Sequence, residues 1–112
     1  MIMNKKIIQE IEITLSVRLP KVYVDYMTEN STHNGYLYEL DEIIEVNLTD
    51  ETPTYAPGYV IIASDWGDLR YLMKSGENEM TVYESDVGDM NPMNFTVFSE
   101  VFDNFLKLLE TA

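Results

Sequence analysis

Cysteine is absent from the 112 residues, so the chain has no disulfide framework, no zinc–thiolate site and no cysteine nucleophile. Bases are scarce: 7 Lys and Arg stand against 20 Asp and Glu, for a net charge of -13. Ten carboxylates and no base lie between Lys21 and Arg70, and seven more with no base lie between Lys74 and Lys107. Proteins grip nucleic acid by neutralising phosphates with clustered Lys and Arg, so direct nucleic-acid binding is excluded and anionic membrane surfaces with it. No run reaches the roughly 20 apolar residues of a membrane span. The charged opening Asn4-Lys5-Lys6 leads into a segment broken by Gln9, Glu10 and Glu12, which is not the pattern of a secretory leader. A cytoplasmic location is expected.

Catalytic signals are equally sparse. The one histidine, His33, sits in a Ser-Thr-His-Asn-Gly turn with no nucleophile motif beside it and reads as a solvated loop residue. Neither the nucleophile elbow G-x-S-x-G nor a phosphate-binding glycine loop is present. Asp65-x-x-Asp68 and Asp86-x-x-Asp89 lack the alternating ligands and closing Glu of a calcium loop, and read as solvated turn carboxylates. A glycosidase-type carboxylate pair needs a cleft that so short a chain can hardly spare. No catalytic, cofactor or metal-ligating residue is expected, and the chain reads as a binding module rather than an enzyme.

What is present is globular: 46% hydrophobic and 24% charged residues, in one domain spanning residues 1–112. In the first segment Ile8, Ile11 and Leu15 follow helical spacing, while Ile11, Ile13, Leu15, Val17 and Leu19 also alternate as a strand would. Leu19-Pro20 places proline at the first turn of a second helix with Val22, Tyr23, Tyr26 and Met27 on one stripe, ending at the turn residues 30–35. Residues 36–40 read as a strand, residues 41–48 as either helix or strand, and residues 52–58 as a loop. The β-branched apolar run 59–63 has the character of a central strand buried on both faces. Turns at 64–67 and 75–78 join it to strands at 69–73 and 80–84, an antiparallel meander. Residues 86–94 read as a polar loop. Phe98, Val101, Phe102, Phe105, Leu106 and Leu109 have the spacing of a closing helix, with Thr96 or Ser99 as N-cap. Helices, then strands, then a helix make an α+β domain: two N-terminal helices, a meander sheet and a C-terminal helix packed on it.

The ordered set of motifs resembles the SUKH superfamily of small α+β immunity domains related to fungal cell-wall-synthesis regulators. The likeness runs from Ile8-Gln9-Glu10-Ile11-Glu12 through Val17-Arg18-Leu19-Pro20-Lys21-Val22-Tyr23, with its leucine–proline pair and tyrosine, to Tyr26-Met27. It continues in Asn34-Gly35-Tyr36-Leu37-Tyr38-Glu39-Leu40-Asp41-Glu42-Ile43. Ile61-Ile62-Ala63-Ser64-Asp65-Trp66-Gly67-Asp68 is similar to the family's central strand and acidic turn, and Val101-Phe102-Asp103-Asn104-Phe105-Leu106 to its last helix. About residues 5 to 110 are covered. The resemblance implies a helix in the first segment, ending near Leu15. Trp66 and Leu69 depart from the small or glycine residues often seen in the acidic turn.

Function by binding is what the resemblance implies: an immunity protein that neutralises a cognate bacterial toxin without covalent chemistry. The charge fits a basic, nuclease-type partner, and self-repulsion suits a monomer or weak oligomer. Trp66, the single tryptophan, sits in a turn beside acids, as an interface anchor or as a cap on the core edge. The first candidate face is Asp65, Trp66, Asp68, Glu84, Asp86 and Asp89; the second is Glu39, Asp41, Glu42 and Glu45. Tyr55 and Tyr83 are expected to face outward, and Met90 and Met93 to offer adaptable apolar surface.

Overall fold

The computed structural model describes residues 2–29, 36–86 and 88–111. Helix α1 (Ile2–Leu15) buries Ile8, Ile11 and Leu15, whereas Ile13 is 79% exposed. A strand would carry Ile11, Ile13 and Leu15 on one face, so the 3.6-residue period decides this segment. The helix stops at Ser16, whose left-handed backbone (φ 55°) cannot continue it. The Glu12 carboxylate then accepts the N–H of Leu19 at 2.8 Å, turning the chain into α2 (Lys21–Glu29) directly after Pro20.

Tyr23 of α2 is fully buried with its ring edge-on to Phe102 (6.0 Å between centroids), and its hydroxyl finds no hydrogen-bond partner among the described residues. Burial, reinforced by the charge of Glu39, pushes this phenol far above its ordinary range. Tyr23→Phe keeps the ring and deletes the orphaned group, so unfolding free energy is expected to hold steady or rise by about 1 kcal/mol. A urea midpoint shifted downward by a comparable amount would show that the hydroxyl is engaged.

The segment after the second helix differs from expectation. Residues 36–40 are not a strand: Leu37 makes a single bridge to Ala63, and Leu40 already begins helix α3 (Leu40–Thr49). Local chemistry starts this helix, because the Glu42 carboxylate accepts the N–H of Glu39 at 2.9 Å, satisfying a donor at the helix entrance. The open choice at residues 41–48 thus falls to helix, and Leu40, Ile43 and Asn47 form its buried face. The expected loop at 52–58 contains a one-turn helix, α4 (Thr52–Tyr55), with Pro53 in its first turn. His33 lies outside the described residues.

The sheet is a four-stranded antiparallel meander in the order β1 (Tyr59–Ser64), β2 (Leu69–Lys74), β3 (Val82–Asp86) and β4 (Thr96–Ser99). β1 is buried on both faces as its composition demands, yet it is an edge strand, not a central one. Its outer edge is closed by the Leu37 bridge and by a side chain rather than by a further strand. Tyr38 N–H donates to the Ile62 carbonyl and Ser64 N–H to the Tyr36 carbonyl, both at 3.0 Å. Asn47, wholly buried, accepts the Ile61 N–H at 2.8 Å and donates to the Ile61 carbonyl at 3.1 Å. The bulge between Ile61 and Ala63 turns groups of both Ile61 and Ile62 to this side.

β4 corrects the reading of the C-terminal segment. Phe98 belongs to the sheet, where it stacks on Tyr71 (4.9 Å) and Phe105 (5.7 Å), and α5 (Phe102–Thr111) starts later. Phe98 matches the helical spacing only because strand and helix pack against one cluster. The Ser99 hydroxyl donates to the Val101 carbonyl at 2.7 Å rather than capping the helix, and Thr96 starts the strand. Phe102 and Phe105 are fully buried, and the side chain of Leu109 lies outside the described part. The helices and the sheet share one hydrophobic core. Among the described residues no helix is long and apolar enough to cross a membrane.

Candidate functional site

Ser64 ends β1 and organises the turn that follows. Its hydroxyl oxygen accepts the Trp66 N–H at 2.9 Å and an Arg70 N–H at 3.0 Å, while its proton goes to the Leu69 carbonyl at 3.2 Å. The Asp65 carboxylate accepts the N–H groups of Gly67 (2.8 Å) and Leu69 (3.1 Å). This is a turn carboxylate. Between these clamps Trp66 is held at φ 63°, a left-handed conformation that is rare for a bulky residue and costs about 1–3 kcal/mol. Glycine would adopt it freely.

The strained backbone presents the indole outward. Trp66 is 64% exposed, and its ring meets the buried Tyr38 edge-to-face at 5.2 Å. Trp66 therefore covers a corner of the core, as one of its two sequence readings expects, while most of its surface stays in water.

Across from Trp66 lies the outer face of α3. Glu42 and Glu45, three residues apart, project from successive turns. Together with Val46, Thr49, Tyr38, Trp66, Asp50 and Arg70 they line a shallow groove of about 360 Å³. The two candidate faces thus meet, Trp66 from one and Glu42 and Glu45 from the other. Arg70 donates through Nε to Asp50 at 3.2 Å, and both side chains are largely buried.

Thr49 and Asp50 also border a second depression, of about 720 Å³, with Glu51, Tyr55, Gly88, Asp89, Met90 and Asn91. Tyr55 is 58% exposed at its rim. Asp89 belongs here rather than beside Trp66, its carboxylate accepting from the Asn91 N–H (3.1 Å) and the Asn94 amide (3.0 Å). Met90 is buried against the Thr52 hydroxyl, contrary to its expected role as adaptable surface, whereas Met93 stands exposed.

The remaining acids divide. Asp86 pairs across the ladder with Leu69, and Glu84 with Tyr71, near the Asp65 turn. Partial burial first, then the charges of Asp86 and Asp65, hold the Glu84 carboxyl above its usual range, so these three share one field. Asp68 is exposed in the turn. Glu39 and Asp41 are exposed at the start of α3, with Glu39 next to its first residue. Tyr83 is half-buried: its ring meets Tyr59 at 5.7 Å, under the Lys74 ammonium.

Sequence reasoning missed Tyr38, Asp50, Glu51 and Arg70 as parts of this surface. Arg70 did carry a signal: it is the first base after Lys21 through a carboxylate-rich stretch, where a folded chain pairs it.

The model of the SMI1 / KNR4 family (SUKH-1) matches residues 3–111, in agreement with the resemblance carried by the motifs. A search of curated proteins finds no match.

Proposed function

Because the chain belongs to the SMI1/KNR4 family (SUKH-1), we propose that it is an immunity protein, binding and neutralising a cognate bacterial toxin by non-covalent occlusion. The family is generally non-catalytic, and an immunity role is consistent with it. The observation that carries the reading is Trp66, exposed on a clamped, strained turn and facing the carboxylates of α3 across one groove. Strain of this kind persists where the surroundings enforce it, and such places cluster at functional sites.

The toxin is basic and of nuclease type on this reading. A nuclease must be positive where it grips phosphates, and a partner with net charge -13 is steered to that surface. Charge sets the encounter, and a desolvated aromatic supplies the lifetime of the complex. The partner face comprises Trp66 with Glu42, Glu45 and Asp65, flanked by Asp68, Glu84 and Asp86 on the sheet side and by Glu39 and Asp41 on the helix side. Asp89 extends it toward Tyr55. The protein acts in the cytoplasm of the producing cell, as a monomer or weak oligomer.

Co-expression with the product of the neighbouring gene tests this. A tag on this chain is expected to bring down that product in equal stoichiometry, and growth arrest by the product alone is expected to be relieved. A neighbour that neither binds nor harms the cell would remove the immunity reading. A regulatory protein-interaction scaffold, the other role found in the family, would then take its place.

A further inference from the structure

The Trp66 groove has a chemistry narrower than negative charge. We infer that it is an arginine-recognition site, receiving the guanidinium of a partner arginine between the indole face and the carboxylates of Glu42 and Glu45; the inference rests on the partner face proposed above.

The lining of the groove combines the rings of Trp66 and Tyr38 with the carboxylates of Glu42, Glu45 and Asp50. Among the described residues the lining holds three carboxylates, those of Glu42, Glu45 and Asp50, and one guanidinium, that of Arg70, an excess of two negative charges. Asp50 is already matched by Arg70 at 3.2 Å, so the uncompensated pair is Glu42 and Glu45. Glu42 accepts the Glu39 N–H through one oxygen, and a carboxylate keeps further acceptor positions. The two glutamates stand on adjacent turns of one helix, so their separation spans about 5–6 Å between Cβ atoms, within reach of a forked donor.

Arg70 shows that the groove suits this group: its planar head already lines it, giving Nε to a carboxylate and Nη1 to the Ser64 hydroxyl. A second guanidinium would repeat that arrangement with Glu42 and Glu45 and gain the Trp66 face. Arginine fits such a site better than lysine, because a planar, weakly hydrated cation stacks on an indole while its N–H groups stay in plane to meet carboxylates. A lysine ammonium meets either the ring or the acids as a point charge and holds its water more tightly.

The test compares labelled hexa-arginine and hexa-lysine peptides, equal in charge, by fluorescence anisotropy against the full chain at low salt. Hexa-arginine is expected to bind about fivefold more tightly or better. Only hexa-arginine is expected to change the emission of Trp66, the single tryptophan of the chain. Trp66→Leu should bring the two peptides to parity while circular dichroism remains native. Glu45→Gln, which leaves the indole in place, should weaken hexa-arginine more than hexa-lysine. Equal affinities in the wild-type chain, or a preference that survives Trp66→Leu, overturn the arginine inference and leave the acidic partner face standing. If neither peptide binds, both fall.

Discussion

Asn47→Ala is expected to lower the unfolding free energy by about 3 kcal/mol, far more than its small change in buried volume suggests. The amide is wholly buried and serves as a substitute strand for one residue of β1, accepting from Ile61 N–H and donating to Ile61 C=O. It also donates to the Ile43 carbonyl at 2.8 Å, one turn back along its own helix, which fixes its rotamer. Alanine would leave an N–H and a C=O of the most apolar strand facing a dry gap, at about 1–3 kcal/mol for each unpaired group. Asn47→Leu fills the gap and still orphans both groups, so it separates hydrogen bonding from packing. Urea unfolding of both variants checks this. If leucine restored wild-type stability, the loss in alanine would be a cavity effect and the edge seal would count for little.

On the proposed immunity role, Trp66→Ala is expected to weaken capture of the toxin by about thirtyfold, on the order of 2 kcal/mol or more, with little change in stability. The asymmetry follows from geometry. The side chain is 64% exposed and gives most of its surface to water, so the fold loses little when it is removed. The same exposed indole is the large aromatic available to be desolvated by a partner beside Glu42 and Glu45. Titration calorimetry against the purified partner measures the binding arm, and a urea midpoint measures the other. An unchanged affinity in a folded variant would take Trp66 out of the interface.

Much of the architecture could be read from local pattern. Val60, Ile61 and Ile62, followed by turns at Asp65–Gly67 and Ser75–Gly76, gave the first hairpins directly, because a buried strand needs a continuous apolar run and glycine-rich punctuation. The exact edges of β3 moved by two residues, from 80–84 to Val82–Asp86. Where local pattern supported two periods, the outcome lay in contacts distant in sequence. Ile43, Ile44, Val46 and Leu48 satisfy either reading until the sheet edge supplies a use for Asn47. Phe98 fell to the sheet because β3 pairs with Val97 and Ser99 on either side of it, contacts that no helical wheel contains.

The groove was legible only in pieces. Trp66 stood out by type, and the acids of residues 39–45 by density, yet nothing in their spacing says that Trp66 and Glu45, 21 positions apart, border one surface. That depends on the sealed edge, which brings α3 alongside the end of β1. The left-handed backbone at Trp66 was equally hidden, since φ is imposed by Ser64 and Asp65 through their hydrogen bonds rather than by the residue itself.

Helix α3 looks two ways, and that bears on descent as well as on folding. Its inward side, Ile43 and Asn47, closes the sheet; its outward side, Glu42 and Glu45, faces the groove. Substitutions at positions 45 and 66 alter what the surface offers without reaching the seal, whereas Glu42 also caps the start of the helix that carries it. If that surface meets a partner as proposed, a descendant can exchange what it recognises at these sites while positions 43 and 47 keep the sheet closed.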